Sequence, residues 1–190
     1  MSDAARNLSS RSSLGSLDVA FEQGIQRLAH LVVCHWLMLA NLLSFLVVAL
    51  SLLAPYLMSL GATLPARVLY FGYRFLCHQM PSRSYFIFGH QAALCQRDLA
   101  IFSSILLAGL LFSLVRNRVK PLNWRIYLLL VIPIALDGFS QLLGWRESNW
   151  QLRTLVGALF GLANVGLVYP FIERGMREAR ASLTQGIWRR

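Results

Sequence analysis

Long apolar runs alternate with short polar segments along most of the chain. Four of these runs cover residues 36–58, 99–115, 126–143 and 152–172. A hydrocarbon core of about 30 Å is crossed by about 20 apolar residues in helical conformation, and the runs are of that size. The pattern predicts an all-α, polytopic membrane protein with four transmembrane helices.

The N-terminal region shows two different patterns before the first run. Residues 1–16 are polar and rich in serine and arginine, and they predict a disordered cytoplasmic tail. Apolar residues then recur at helical spacing, with Asp18 and Glu22 elsewhere around the turn. This predicts an amphipathic helix lying at the membrane interface. Its apolar positions are Leu17, Phe21, Ile25 and Leu28.

The connection between the first two spans is about 40 residues long and is not uniformly polar. Residues 64–76 are aromatic and apolar, so they predict a short helix within this loop, packed on the bundle or dipping into the interface. We expect one membrane domain over residues 17–172, followed by a basic cytoplasmic tail at 173–190.

Composition supports the membrane interpretation. Hydrophobic residues make up 56% of the chain and charged residues only 14%, against about 25% charged in typical soluble domains. The net charge is +10, but the cations flank the apolar runs, which favours membrane orientation over nucleic-acid binding.

The distribution of the cations predicts the orientation. Twelve of the 18 Lys and Arg residues fall on the two termini and the 116–125 connector, so these segments are expected in the cytoplasm. The loop between spans one and two is then extracytoplasmic. Six cations lie on that side, namely Arg67, Arg74, Arg83, Arg97, Arg146 and Arg153.

Polar residues cluster in four motifs that all approach the outer face. The motifs are Cys77-His-Gln-x-Pro-x-Arg-Ser84, Cys95-x-Arg-Asp98, Asp137-Gly-x-x-Gln141 and Glu147-Ser-Asn-x-x-Leu-Arg153. In this order they resemble the motifs of a prokaryotic family of uncharacterised integral membrane proteins, domain of unknown function 2085. The resemblance covers residues 69–170 and implies a multi-pass protein of the prokaryotic cell membrane, without implying a reaction.

The second motif departs from the family pattern. It often reads Cys-x-Arg-Cys in the family, whereas Asp98 stands at its fourth position here. The departure weakens any mechanism that requires two neighbouring thiols at that place.

Cys77 and Cys95 admit three interpretations. A disulfide between them would close a loop of about 18 residues and stabilise the protein by about 3 kcal/mol in the loop-entropy model. They can also be buried, inert thiols. A metal site would combine them with His78 or His90, although no Cys-x-x-Cys spacing supports it. No cofactor is assigned, and a metal ion is the candidate that stays open.

Asp137 is the most costly polar residue of the predicted spans. A carboxylate at such depth costs about 2.5–3.5 kcal/mol on insertion scales unless it is paired or hydrated. Arg153 and Arg97 are the expected partners. The polar residues then form either a structural ion-pair network or a cavity that receives a ligand. The candidate ligand-binding residues are Cys77, His78, Gln79, Arg83, Cys95, Arg97, Asp98, Asp137, Gln141, Glu147, Ser148 and Arg153.

Three functions are compatible with these features. The favoured one is a membrane protein whose outward-facing polar site binds, or helps transport, an anionic small molecule or lipid headgroup. The second is an enzyme acting at the outer leaflet, with His78 as acid or base, Asp137 or Glu147 as its partner, and metal assistance as an option. The third is an accessory or assembly subunit of a larger membrane complex. The sequence does not decide whether the protein is an enzyme.

Overall fold

The computed structural model describes the backbone of residues 2–116 and 118–187 and the side chains of residues 21–116 and 118–183. Within these residues, five α-helices and one β-hairpin follow one another, with the hairpin between the second and third helices. Four helical segments are long and apolar enough to cross a membrane. They are Phe21–Ser59, Gln96–Val115, Trp124–Leu142 and Trp150–Leu183. The predicted all-α, four-span architecture is confirmed.

Helix α1 extends from Ser2 to Ser59 and therefore differs from the predicted N-terminal region. The expected disordered tail and separate interfacial helix are both continuous with the first span. No proline occurs before Pro55, so helical propensity carries through the region without a break. Phe21 and Leu28 of the predicted amphipathic face are 71% and 63% exposed. The side chain of Leu17, and Arg189 and Arg190 of the basic tail, lie outside the described residues.

The chain divides into two compact units. The single membrane domain over 17–172 stays a prediction. One unit is Leu37–Arg174, and it contains the hairpin and every candidate site residue. The other combines the chain up to Trp36 with the chain from Gly175 onward. In this second unit, Arg180 Nη2 donates to the carbonyl oxygens of Val33 and Cys34 at 3.1 and 3.2 Å.

The loop after α1 contains the predicted short helix, α2, which extends from Thr63 to Tyr73. Tyr73 ends this helix and donates from its hydroxyl to the carbonyl oxygen of Val47 on α1 at 2.6 Å. A small core forms at this contact, with Ala54, Tyr73, Cys77, Ala93 and Leu94 buried together. Burial of these side chains fixes the residues after α2, including Cys77, against α1 and the hairpin.

The sequence interpretation did not predict the β-hairpin as strands. Strand β1 is Ser84–Ile87 and strand β2 is His90–Cys95, paired antiparallel. Phe88 and Gly89 connect them with φ values of 53° and 76°. Two positive φ values in a two-residue connection are the geometry of a type I′ turn, whose twist matches that of the strands. Tyr85 anchors the hairpin by a 2.6 Å hydrogen bond to the hydroxyl of Thr154.

The remaining three helices are α3 (Gln96–Val115), α4 (Trp124–Leu142) and α5 (Trp150–Ile187). Two glycines of α5 lie directly against α3. A Cβ placed on Gly157 would come within 2.6 Å of the Arg97 carbonyl oxygen, and one on Gly161 within 2.7 Å of that of Ile101. The Gly-x-x-x-Gly stripe therefore packs within the chain, as small-residue contacts between membrane helices commonly do.

Candidate functional site

Asp137 lies one turn before the end of α4 and is only 1% exposed. Both of its carboxylate oxygens accept hydrogen bonds from arginine. Arg97, in the first turn of α3, donates from Nη2 to Oδ2, and Arg146 donates from Nη2 to Oδ1 at 2.9 Å. Gln141, one helical turn onward, adds a bond from Nε2 to Oδ2 at 2.9 Å. These donors offset the cost of placing a carboxylate at this depth.

Arg146 takes the place that the sequence analysis gave to Arg153, so that expected pairing was wrong. The chain reverses after α4 at Gly144, whose φ of 70° favours glycine. The reversal returns Arg146 to the end of α4, where its Nε also donates to Ser140 Oγ at 3.2 Å. A glycine just after a helix end is the sequence signal that could have indicated this pairing.

Arg153 instead binds neutral acceptors. Its Nη1 donates to the carbonyl oxygen of Ser82 at 3.2 Å and to Oε1 of Gln96 at 3.3 Å. Gln96 is itself oriented by a bond from its Nε2 to the carbonyl oxygen of Ser84 at 3.2 Å. Arg153 is 6% exposed. A cation is thus buried at the start of α5 with carbonyl and amide oxygens as its acceptors.

A cleft of about 430 Å³ opens beside Arg153, and we call it the arginine cleft. It is bounded by the residues after α2, by the start of α3, by the end of α4 and by the first turn of α5. Its lining is Leu76, Cys77, His78, Gln79, Met80, Arg83, Cys95, Arg97, Asp98, Gln141 and Arg153. Three arginines and one carboxylate line it, so its wall carries a net positive charge.

Three cleft residues also present buried polar atoms that lack a hydrogen-bond partner among the described residues. These atoms are Nε of Arg97, Nε of Arg153 and Oε1 of Gln141. Burying a donor of a charged group without an acceptor costs about 1–3 kcal/mol or more. Side chains that are kept in this state at one cleft are candidates for contacts with a ligand.

Cys77 and Cys95 meet at the edge of this cleft as free thiols. The backbone N–H of Cys95 donates to Cys77 Sγ at 3.3 Å, and that of Asp98 donates to Cys95 Sγ at 3.4 Å. A hydrogen bond from the Cys95 side chain lowers the pKa of Cys77 to about 7. The same contact, together with burial, raises the pKa of Cys95. Cys77 is therefore the first of the pair to ionise near neutral pH, and their disulfide stays a prediction.

Comparison with known proteins places the chain in a family of predicted membrane proteins. The model of a family of predicted membrane proteins, DUF2085, matches residues 77–167. An uncharacterised protein of Methanocaldococcus jannaschii is 38% identical over 138 residues, which cover 68% of this chain and 88% of that protein. The chain belongs to the DUF2085 family. An uncharacterised protein of Methanothermobacter thermautotrophicus is 36% identical over 90 residues, covering 47% of this chain and 81% of that protein. No solved structure matches the chain.

The segment that matches the DUF2085 model contains almost the whole arginine cleft. It begins at Cys77 and ends at 167, so both thiols and Arg153 fall within it, whereas Leu76 lies just outside. The resemblance inferred from the four motifs is confirmed at the level of the family. Both of these relatives are described only as uncharacterised, so the chemistry of the cleft follows from its own residues.

The structure brings together nine of the twelve candidate residues, and three lie elsewhere. Asp137 is behind the cleft wall, bonded to Arg97 and Arg146. Ser148 is buried in the connector after α4, and Glu147 beside it is exposed. His78 is therefore not joined by either carboxylate that was expected to serve as its acid–base partner. Gln96, Arg146, Leu76 and Met80 were not among the candidates, although the structure places them in or against the site.

The possible metal ligands are also rearranged relative to expectation. Among the described residues, the sulfur atoms of Cys77 and Cys95 and a carboxylate oxygen of Asp98 lie within 4.8 Å of one another. His90 begins strand β2 and pairs with Ile87, and it does not line the cleft. His78 lines the cleft but is not part of this cluster. A carboxylate thus stands where the sequence interpretation placed a histidine.

Proposed function

We propose that the arginine cleft is a binding site for an anionic group, a phosphate or carboxylate carried by a small molecule or by a lipid headgroup. The observation that carries the proposal is the state of Arg153, which is 6% exposed, bonds to neutral oxygens and has a buried Nε without a partner among the described residues. A guanidinium in this setting gains strongly from an anion because the fork of N–H donors matches two oxygens.

The charge balance of the wall favours the same ligand. The positive charges of Arg83 and Arg97 repel that of Arg153. Asp137 attracts Arg153 and offsets part of this repulsion, but its carboxylate oxygens are bonded to Arg97 and Arg146 rather than to Arg153. An anion between the arginines replaces repulsion by attraction in a site that is partly shielded from solvent. It also accepts hydrogen bonds from the N–H donors that these arginines present to the cleft.

We further propose that the cleft faces the extracytoplasmic side of a prokaryotic cell membrane, with both termini in the cytoplasm. The support is the excess of cations on the termini and the 116–125 connector, 12 of 18. A green fluorescent protein fused after residue 190 is then fluorescent in intact cells, whereas an alkaline phosphatase at the same place is inactive. The opposite pair of results would reverse the orientation.

The binding proposal is tested with two probes on the full chain. Inorganic phosphate is titrated by calorimetry into protein in a phosphate-free detergent buffer. Retention of phosphatidic acid over phosphatidylcholine is measured by native mass spectrometry. We expect at least one probe to bind, and Arg153→Gln to weaken that binding by about tenfold or more, equivalent to about 1.4 kcal/mol. Binding of phosphate alone indicates a free anion, and binding of phosphatidic acid alone indicates a headgroup.

Matched variants separate binding from folding. Arg67→Gln removes an exposed cation of the same loop and should bind as the wild type does. Arg83→Gln removes a cation of the cleft wall and leaves the hydrogen bonds of Arg153 in place. It is therefore the test variant if Arg153→Gln does not fold. The proposal fails if neither probe binds, or if Arg83→Gln and Arg153→Gln bind both probes like Arg67→Gln.

A further inference from the structure

We infer that Cys77, Cys95 and Asp98 form a site for a thiophilic divalent cation, most suitably Zn²⁺, in the wall of the arginine cleft. Their ligand atoms, two sulfurs and one carboxylate oxygen, lie within 4.8 Å of one another. In a tetrahedral zinc site the corresponding atoms are about 3.3–3.8 Å apart, as follows from bond lengths of about 2.0–2.3 Å. Small side-chain rotations therefore suffice to bring all three onto one ion.

The backbone around the sulfurs already resembles the surroundings of metal thiolates. Cys77 Sγ accepts from the backbone N–H of Cys95, and Cys95 Sγ accepts from that of Asp98. The backbone N–H of Gln79 also helps to lower the pKa of Cys77. Gln79 adopts a φ of 52°, a left-handed conformation that a non-glycine residue seldom takes. Such donors orient the side chains that bind a metal and stabilise their anionic form.

The three ligands are held by two separate, well-anchored elements. Cys95 is the N-cap of α3, and Asp98 lies in the first turn of the same helix. Cys77 comes from the other side and is buried in the core formed with Ala54, Tyr73 and Leu94. A site built from a helix terminus and a packed turn needs little reorganisation to bind an ion, which favours affinity.

The chemistry of the ligands selects the class of metal. Two thiolates prefer soft or borderline ions, and one carboxylate is acceptable to zinc, whereas magnesium and calcium prefer all-oxygen sites. Binding forms two metal–sulfur bonds and one metal–oxygen bond. Any proton that a thiol still carries passes to water when its sulfur binds the metal. Zn²⁺ with two thiolates and one carboxylate has a net charge of −1, which complements the neighbouring Arg97 and Arg153.

Three protein ligands leave a fourth coordination position, as catalytic and ligand-binding zinc sites do. All three ligands line the arginine cleft, so we place this position on the cleft side. The proposed anion would then share the metal and the arginines. This role of the fourth position rests on the proposed function, whereas metal binding itself does not.

Cobalt provides the test, because Co²⁺ bound to thiolate has a characteristic near-ultraviolet absorption. The full chain in mild detergent is reduced and treated with a chelator, and its free thiols are counted. The chelator is then removed, and Co²⁺ is titrated into the protein. We expect the wild type and the control Cys34→Ser to bind one equivalent of Co²⁺ with thiolate absorption. Added Zn²⁺ should then displace the Co²⁺ and abolish that absorption. Cys77→Ser and Cys95→Ser should lose it. Loss of a residue that only hydrogen-bonds to a metal ligand costs about 10–100-fold in metal affinity. Asp98→Asn alters a ligand itself, so it should weaken metal binding by at least about tenfold.

A second measurement does not depend on variants. Zn²⁺ should protect two thiols of the reduced wild type from alkylation, assigned by mass spectrometry to Cys77 and Cys95, while Cys34 reacts as before. The inference is overturned if the reduced wild type shows neither thiolate absorption nor protection of the thiols. The same result overturns it for protein that is purified with a Cys77–Cys95 disulfide and then reduced. If protein that binds no metal still binds phosphate, and Arg153→Gln still weakens that binding, the anion site stands without the metal.

Discussion

Arg153 donates a hydrogen bond from Nη1 to Oε1 of Gln96 at 3.3 Å, joining the first turns of α5 and α3. The amide of Gln96 continues the connection to the carbonyl oxygen of Ser84 in β1. One buried glutamine therefore links two spans and the hairpin. It also holds the cation on which the proposed anion site depends.

Replacing Gln96 by leucine should lower the free energy of unfolding by about 1–3 kcal/mol, because a buried charged donor loses an acceptor. Unfolding in mixed micelles with increasing denaturing detergent measures the change. Gln151→Leu, at an exposed position near the start of α5, is the matched control and should stay close to wild type. Equal stability of the two variants would show that the Arg153–Gln96 bond does not contribute.

Asp137→Asn should destabilise the protein by about 3 kcal/mol, since removing one member of a buried ion pair leaves uncompensated charge. We expect the lower part of the range known for buried pairs because Arg97 and Arg146 retain 24% and 48% exposure of their side chains. The same unfolding assay applies. Glu147→Gln removes an exposed carboxylate of the adjacent connector and should have little effect. A similar small effect in both variants would contradict the assigned role of Asp137.

Gly161→Ala should separate α5 from α3 and lower the free energy of unfolding by about 1–3 kcal/mol, the usual cost of overpacking. The added Cβ would stand 2.7 Å from the carbonyl oxygen of Ile101, which is backbone and cannot rotate away. Gly175→Ala on the same helix meets nothing within 4 Å and should be neutral or slightly stabilising. The measurement includes the native size in detergent. A change from dimer to monomer without loss of stability would instead assign Gly161 to an interface between copies.

The turn of the hairpin gives a backbone prediction. Gly89 has a φ of 76°, so Gly89→Ala should cost about 1–2 kcal/mol, while Gly89→Asn should cost less because asparagine tolerates the left-handed region. Open space surrounds this glycine, which removes steric contact as a cause. Thermal unfolding of both variants decides the point. Equal melting temperatures for alanine and asparagine would argue against the turn conformation.

Local patterns were sufficient to predict the spans, because a helix that crosses the hydrocarbon core needs about 20 consecutive, mostly apolar residues. The predicted second span, 99–115, differs from α3 by three residues at its start and ends at the same residue. The hairpin was different. Its two-residue connection is Phe-Gly rather than the Asn-Gly or Asp-Gly that signals a type I′ turn. The hairpin is held by contacts of β2 with α2 and α3 and by the contacts of Tyr85 in β1 with α5.

The partner of Asp137 shows why the site was only half predictable. Arg97 and Arg153 were equally plausible from sequence, because both are expected near the outer end of the bundle. The choice depends on the direction in which each helix presents its side chain. It also depends on the reversal at Gly144 that introduces Arg146.

The sequence by itself determined that this is a four-span membrane protein and that its polar motifs converge on one face, because hydrophobic length and charge placement act locally along the chain. The tertiary structure decided which groups neutralise one another and which stay available. Asp137 is bonded to two arginines, Arg153 is left with neutral acceptors, and two distant cysteines meet at Asp98. Most of these pairings are set by distances of a few ångströms between helices, which local patterns in the chain do not specify. The exception is the pairing of Arg146 with Asp137, because a glycine just after a helix end is a local signal.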